Sequence, residues 1–211
     1  MKFSLLFLVL ILTACAPQPA APPATSPPVV SVYASPAAEP WLEDVFACGT
    51  EIAVVIRLSA SESAAEIRLR LGEPESLSSP AYQIGTEDML VVTRRESPIE
   101  NLERDQAQTL FSTGGENVQV WVYASSADVQ EIFEREVMRG TRIHPSARLA
   151  LHPQQLVDAL QSENNAAGLL PRRWANEQMR EVFALRNLPV LAITRGEPQG
   201  AVKELIACLQ K

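Results

Sequence analysis

Three short segments carry the residues whose types and spacing could do chemistry. The first is Ala34-Ser35-Pro36-Ala37-Ala38, in which a hydroxyl follows a β-rich run at 29–34 and precedes a helical pattern. The second is Ala124-Ser125-Ser126-Ala127-Asp128, two hydroxyls between a valine-alternating run and an amphipathic stretch at 128–138. Both stand where a strand hands over to a helix. Main-chain N–H groups at a helix start lack partners, and the helix dipole favours negative charge there. Open α/β sheets collect ligands outside the carboxyl ends of their strands. Each serine therefore has two readings: a hydroxyl that only caps its helix, or one that also meets an anion. The third segment is Ser78-Ser79-Pro80-Ala81-Tyr82. It reads as a loop whose Tyr82 either lines a ligand site or packs as a loop aromatic.

Other polar residues carry weaker signals. Arg68 and Arg70 alternate with Ile67, Leu69 and Leu71, the pattern of a strand with one solvated face or one that holds an anion. Arg172, Arg173 and Trp174 follow an apolar run and Pro171, and read as an exposed turn or a contact for a ligand or partner. Glu66, Glu73 and Asp128 form no recognisable acid–base pair, and there is no Gly-x-Ser-x-Gly elbow or phosphate-cradling loop. His144 and His152 are the only histidines, each beside a proline, and no Cys-x-x-Cys occurs. The sequence nominates no nucleophile with a base, no metal cluster and no cofactor site. The expectation is a non-enzyme.

Charge narrows the partners. The 211 residues carry a net charge of −7, with 46% hydrophobic and 20% charged residues. That composition can bury a core, and its sign argues against nucleic acid and against electrostatic attraction to anionic lipid. The amino terminus carries a basic Lys2, then an apolar run at 3–12 broken only by Ser4. Such a run is too short to span a bilayer stably but suits an export signal. It leads into Leu12-Thr13-Ala14-Cys15, which resembles the bacterial lipobox. The resemblance implies lipid on Cys15, cleavage before it, and two or more acyl chains, which is what stable anchoring requires. Six prolines crowd residues 16–28, with small residues between them. Proline removes backbone donors and extends the chain, so 15–28 reads as a semi-rigid tether after a signal peptide at 1–14.

The body must then position the serines. Strands are expected at 29–34, 52–58, 67–71, 89–93, 118–122, 149–151, 167–170, 182–185 and 190–193. Helices are expected around Trp41, Leu42, Val45 and Phe46, at 102–111, at 128–138, from Pro153, and from Pro198 with Val202, Leu205, Ile206 and Leu209 on the buried side. Gly114-Gly115 marks a turn, and Asn187 and Pro189 split the last two strands. Alternating strands and helices imply an α/β fold with a mostly parallel sheet covered on both faces.

This order of pieces resembles the two-lobed periplasmic solute-binding proteins of type II, near the phosphate-binding branch. Residues 29–46 look like that family's first strand, ligand loop and first helix. Residues 88–111, with Leu90-Val91-Val92 and Ser97-Pro98-Ile99-Glu100-Asn101-Leu102, look like its crossover strand and the helix that opens lobe two. Residues 118–133 look like its second ligand contact. The family's phosphate-binding members have a Gly-Ser-Ser-like first loop and an Arg with Ser-Gly-Thr in the second, and neither is present here.

The resemblance implies a binding domain at 29–211, with lobe one at about 29–92 and 182–211 and lobe two at about 93–181. It implies a small-molecule ligand such as an oxyanion, met by Ser35, Tyr82, Ser125 and Ser126, and an ABC permease as partner. The protein would sit in the periplasm or at the cell surface, lipid-anchored. A sensor or adaptor that no longer transports is the other reading. In the resembling fold the chain returns to lobe one at its end. Cys48 and Cys208 would then sit on neighbouring helices, either joined in a disulfide or as two buried thiols.

Overall fold

The computed structural model describes residues 26–115 and 117–211. The proposed export signal, Cys15 and most of the tether lie outside the described residues.

Eight strands form one sheet. In chain order they are β1 (Val29–Ala34), β2 (Val55–Leu58), β3 (Ile67–Leu71), β4 (Ala81–Arg94), β5 (Gln119–Val122), β6 (Arg148–Leu149), β7 (Ala166–Pro171) and β8 (Met179–Thr194). Their lateral order is β2-β1-β3-β8-β4-β7-β5-β6. The helices are α1 (Leu42–Glu51), α2 (Arg104–Thr113), α3 (Asp128–Phe133), α4 (Pro153–Ser162) and α5 (Gly200–Leu209). α3 runs on into a wider π-type turn, Glu134–Met138, which ends at Arg139 with φ 47°.

The sheet is mixed. β1 pairs in parallel with β2 and β3, and β5 with β6 and β7, while β8 and β4 pair antiparallel with each other and with β3 and β7. The two long strands join two halves. Residues 81–87 of β4 face residues 188–193 of β8 in the half that holds β1. Residues 89–94 face residues 179–185 in the half that holds β5. Between them the register slips: Asp88, Arg186 and Asn187 have no ladder partner.

Local chemistry explains most elements. In β3 the apolar Ile67, Leu69 and Leu71 are buried and the two arginines are not, as period-2 alternation requires. α1 buries Val45 and Gly49 against the sheet after a 3-10 turn, Pro36–Trp41. α2 opens with a Glu103/Gln106 capping box and ends at Gly114 with φ 82°. α4 begins at Pro153, where a missing N–H costs nothing, and His152 Nδ1 caps it by accepting the Gln154 N–H at 3.1 Å. β7 is buried at every position, so elements cover both its faces. One apolar core runs through both halves, and Phe111 of α2 meets Phe133 of α3 with ring centroids 4.5 Å apart.

Several expected boundaries move. β2 starts at Val55 rather than 52, because Ile52 closes α1 and Ala53 turns at φ 55°. β4 begins at Ala81, eight residues before the expected strand, so Tyr82 lies on a strand and not in a loop. β8 is one strand through Asn187 and Pro189, with Asn187 at φ 57° absorbing the slip in register. The last helix opens at Gly200, two residues after Pro198. Leu151 lies beyond β6 and is 78% exposed, and Phe46 turns outward at 43% exposure.

Candidate functional site

The loops that follow β1 and β5 come from different halves of the sheet and meet. Two adjoining cavities lie between them. One, of about 240 Å³, is lined among others by Tyr33, Pro36, Tyr123, Ser126, Asp128 and Leu151. The other, of about 120 Å³, adds Ser35, Glu62, Arg68, Leu69 and Arg70. Both lie outside strand carboxyl ends at the junction of the halves, where an open α/β sheet places a ligand.

Asp128 dominates this cleft. It is the first residue of α3 and only 6% exposed. Its Oδ2 accepts the Ser35 hydroxyl at 2.6 Å and the Leu71 N–H at 2.8 Å, both from the other half. Its Oδ1 accepts the Val129 N–H at 2.9 Å, within its own helix. A buried carboxylate needs such donors, because an uncompensated charge in low dielectric is costly. Ser35 serves twice, since its Oγ also accepts the Ala38 N–H at 3.3 Å and caps the turn after β1.

Two arginines flank the carboxylate and both are paired. Arg68 reaches Glu62 and Arg70 reaches Glu131, each at 2.9 Å. Arg70 Nε is buried without a partner. Burial first, then the charges of Glu62, Asp128 and Glu39, push the Tyr33 phenol above its ordinary range. Burial and then Asp128 push Tyr123 up as well, and its hydroxyl donates to Leu169 O at 2.9 Å. The cleft thus carries a negative bias at its centre, with its nearest cations already matched. On its rim His152 Nε2 meets Glu39 Oε2 at 3.0 Å, again across the halves.

The expected residues divide. Ser35 and Ser126 both line the cleft. α3 is capped by Ala127 without a side-chain bond, so neither Ser125 nor Ser126 caps it. Ser125 lines a different and more open groove, with Glu75, Glu131, Glu134, Arg135 and Arg139. Tyr82 lies on β4 with its hydroxyl on Glu197 at 3.2 Å and is not among the residues that line the cleft. Arg68 and Arg70, left open between a solvated face and an anion contact, border the smaller cavity. Arg173 covers the Trp41 ring at 3.8 Å and pairs with Asp44 at 2.8 Å. Cys48 and Cys208 are bonded, joining α1 to α5 with Cα atoms 5.8 Å apart. Among the described residues no group of three or more His, Cys, Asp or Glu is arranged to hold a metal ion.

The residue that sequence reasoning passed over is Asp128. Read from the sequence alone, it offers only half of an acid–base pair. Its position one residue past Ser-Ser-Ala at a helix start was the available signal, since a carboxylate is favoured there.

No family model matches this sequence, and no curated protein matches it. Solved structures do share its fold. A protein described as a phosphate ABC transporter substrate-binding protein from Clostridium perfringens, with phosphate bound, aligns with a TM-score of 0.74 at 15% identity, over 86% of this chain and 92% of that one. An ABC-type phosphate transport receptor from Vibrio cholerae gives 0.62 at 12% identity, over 86% and 93%. The regulatory domain of CcmR from Synechocystis, in complex with 2-PG, also gives 0.62 at 10% identity, over 86% and 95%. At such identities the likeness establishes the fold, a type II periplasmic-binding-protein-like α/β architecture, and not the ligand.

Proposed function

We propose that this chain is an extracytoplasmic lipoprotein that takes a small solute into the cleft between the β1 and β5 loops. The observation that carries this reading is that Ser35 and Ser126, from loops in opposite halves of one sheet, line adjoining cavities beside Asp128. The cavities, of about 240 and 120 Å³, suit a ligand no larger than an inorganic oxyanion or a small organic molecule. The phosphate-binding neighbours support an anion such as phosphate, presented to an ABC permease. Lipid on Cys15 would hold the body at the membrane, and the β4–β8 crossover would be the axis of closure.

A second reading is a sensor or adaptor that has given up transport. It is favoured by Asp128, whose carboxylate already holds the Ser35 and Leu71 donors. Melting of the mature lipoprotein against a panel of anions, sugars and amino acids separates the two. A ligand at a hundredfold excess over its Kd adds about 2.7 kcal/mol and raises Tm. A rise with phosphate supports the receptor, and no shift across the panel supports the adaptor. Cys15→Ser should abolish acyl labelling, and unchanged labelling would remove the anchor from the account.

A further inference from the structure

We infer that Asp128 is a built-in occupant of the cleft: its carboxylate takes the place of an anionic ligand and holds the two halves closed with no solute present. The inference rests on the solute-binding reading only for the location of the cleft. The contacts themselves carry it. An anion entering between the β1 and β5 loops would seek hydrogen-bond donors from both halves. Two donors of the β1 half, the Ser35 hydroxyl and the Leu71 N–H, already converge on one oxygen of a carboxylate rooted in α3 of the other half.

Leu71 makes the point most sharply. It is the last residue of β3, and its N–H leaves the strand ladder to reach Asp128 across the cleft. Gly72 follows at φ 69°, where a Cβ would stand 2.5 Å from Ile132 Cδ1 of α3. A side chain there would force the buried Ile132 to give way and would sit on a left-handed backbone, so glycine favours the close approach of α3. Glu131, one turn along, repeats the arrangement by accepting Arg70 at 2.9 Å and the Glu75 N–H at 3.0 Å. His152 and Glu39 add a third crossing at the rim. Every one of these bonds joins the two halves, and none needs a ligand.

Removing the carboxylate would release the donors that an oxyanion uses. Ser35 Oγ–H and Leu71 N–H become free, beside an Arg70 Nε that has no partner. The closed form therefore costs a competing anion the displacement of Asp128, so its apparent affinity is scaled down by the fraction of molecules whose cleft is open. An anion site hidden by an internal carboxylate is expected to appear when the carboxylate is removed.

The test is amide hydrogen exchange at Leu71 in the mature lipoprotein, read together with a calorimetric titration with inorganic phosphate. The wild type should protect the Leu71 amide without phosphate, and phosphate should release heat only at concentrations high enough to displace Asp128. Asp128→Ala should lose that protection by tenfold or more and bind phosphate at least tenfold more tightly than the wild type, with phosphate restoring protection. Loss of protection without phosphate binding would keep the built-in occupant and remove the anion-receptor reading. Wild-type protein that binds phosphate at micromolar concentration, more tightly than Asp128→Ala, would overturn the inference and leave the receptor reading standing. So would Leu71 protection that is unchanged in Asp128→Ala. If Asp128→Ala does not fold, Asp128→Asn keeps the shape and removes the charge, and the same readings apply with smaller differences.

Discussion

The crossover and the cleft join the same two halves of the sheet, and they do so with different materials. At the crossover two continuous strands carry the connection, and their ladder continues on both sides of the register slip between Glu87 and Met89. Asp88 fills that slip: its carboxylate accepts the Asn187 N–H at 3.0 Å, Arg172 Nε at 3.0 Å and Arg186 Nη1 at 3.2 Å. Glu181 binds the same two guanidinium groups at 2.7 and 2.8 Å. At the cleft no strand crosses, and the halves meet through side chains gathered on Asp128, Glu131 and Glu39. Backbone continuity makes the crossover tolerant of single substitutions. The cleft has no such reserve, so its state rests on a few carboxylates, of which Asp128 is the most buried.

The largest expected effect lies outside both regions and sets the scale. The Cys48–Cys208 bond ties α1 to α5 across a separation of 160 residues within the β1 half. Closing a loop of that size is worth roughly 4–5 kcal/mol in the chain-entropy model, and native bridges commonly give about 2–5. Cys208→Ser, or reduction, should lower the unfolding free energy by that amount in a urea titration. A change below about 1 kcal/mol would show that the helices hold together without it.

Next comes Gly72→Ala. A Cβ there stands 2.5 Å from Ile132 Cδ1, on a backbone at φ 69° that side chains rarely adopt. Overpacking and strain together should cost about 1–3 kcal/mol, with the loss concentrated in the contact between β3 and α3. Exchange at the β4–β8 crossover should stay as it is. Equal loosening in both places would end the contrast between them.

The two aspartates sharpen that contrast. Asp128→Asn should cost about 1.5–3 kcal/mol, the scale of hydrogen bonds to a buried charge. Asp88→Asn, partly exposed, should cost about 1 kcal/mol or less. Their pH dependence separates Asp88 from its buried neighbour. For Asp88, burial raises the carboxyl, but the Asn187 N–H and Arg172 outweigh it, so the folded pKa falls below the ordinary value. Its contribution is present above the unfolded value of about 4 and is lost as pH falls through the lowered one. Glu87 runs the other way: burial raises it against the opposing Asp88 N–H, Trp41 and Arg173. The native state then holds Glu87's proton more tightly than the unfolded chain does. What Glu87 contributes is full below the unfolded value and declines as pH rises through the raised one. Urea titrations from pH 3 to 7 should show Asp88→Asn with a flatter acid limb and Glu87→Gln with a smaller decline above pH 4. The reverse pairing would contradict these assignments.

Ser126→Ala gives the smallest expected effect on stability, within about 0.5 kcal/mol, because Ser126 is exposed and caps nothing. A cost near 1 kcal/mol would mean that the hydroxyl serves the fold after all.

Much of this architecture was legible in the sequence because most elements obey one period. Ile67 to Leu71 alternates cleanly, and the stripe from Val129 to Val137 is helical by spacing alone. The first half of β4 escaped because Gln83, Gly85, Thr86, Glu87 and Asp88 leave too few apolar residues for a strand signal. It is a strand because β8 pairs with it, and Gly85 leaves room for the Trp41 ring, whose Cη2 would lie 2.2 Å from a Cβ. β8 escaped because Asn187 and Pro189 read as punctuation, whereas a register slip accommodates both. At the site, the serines at strand ends were legible from their position. Asp128's place at a helix start was legible too, but its role was not, because its partners Ser35 and Leu71 lie 93 and 57 residues away in the chain. No local pattern encodes that meeting.

The central claim, that Asp128 holds the two halves together across the cleft, is tested most directly by a double-mutant cycle on Ser35 and Asp128. Stabilities of the wild type, Ser35→Ala, Asp128→Asn and the double variant give the coupling between two groups that stand 2.6 Å apart across the halves. The account predicts a coupling of about 1 kcal/mol or more, with the second substitution costing much less once the first is made. Strict additivity of the two single costs would contradict it.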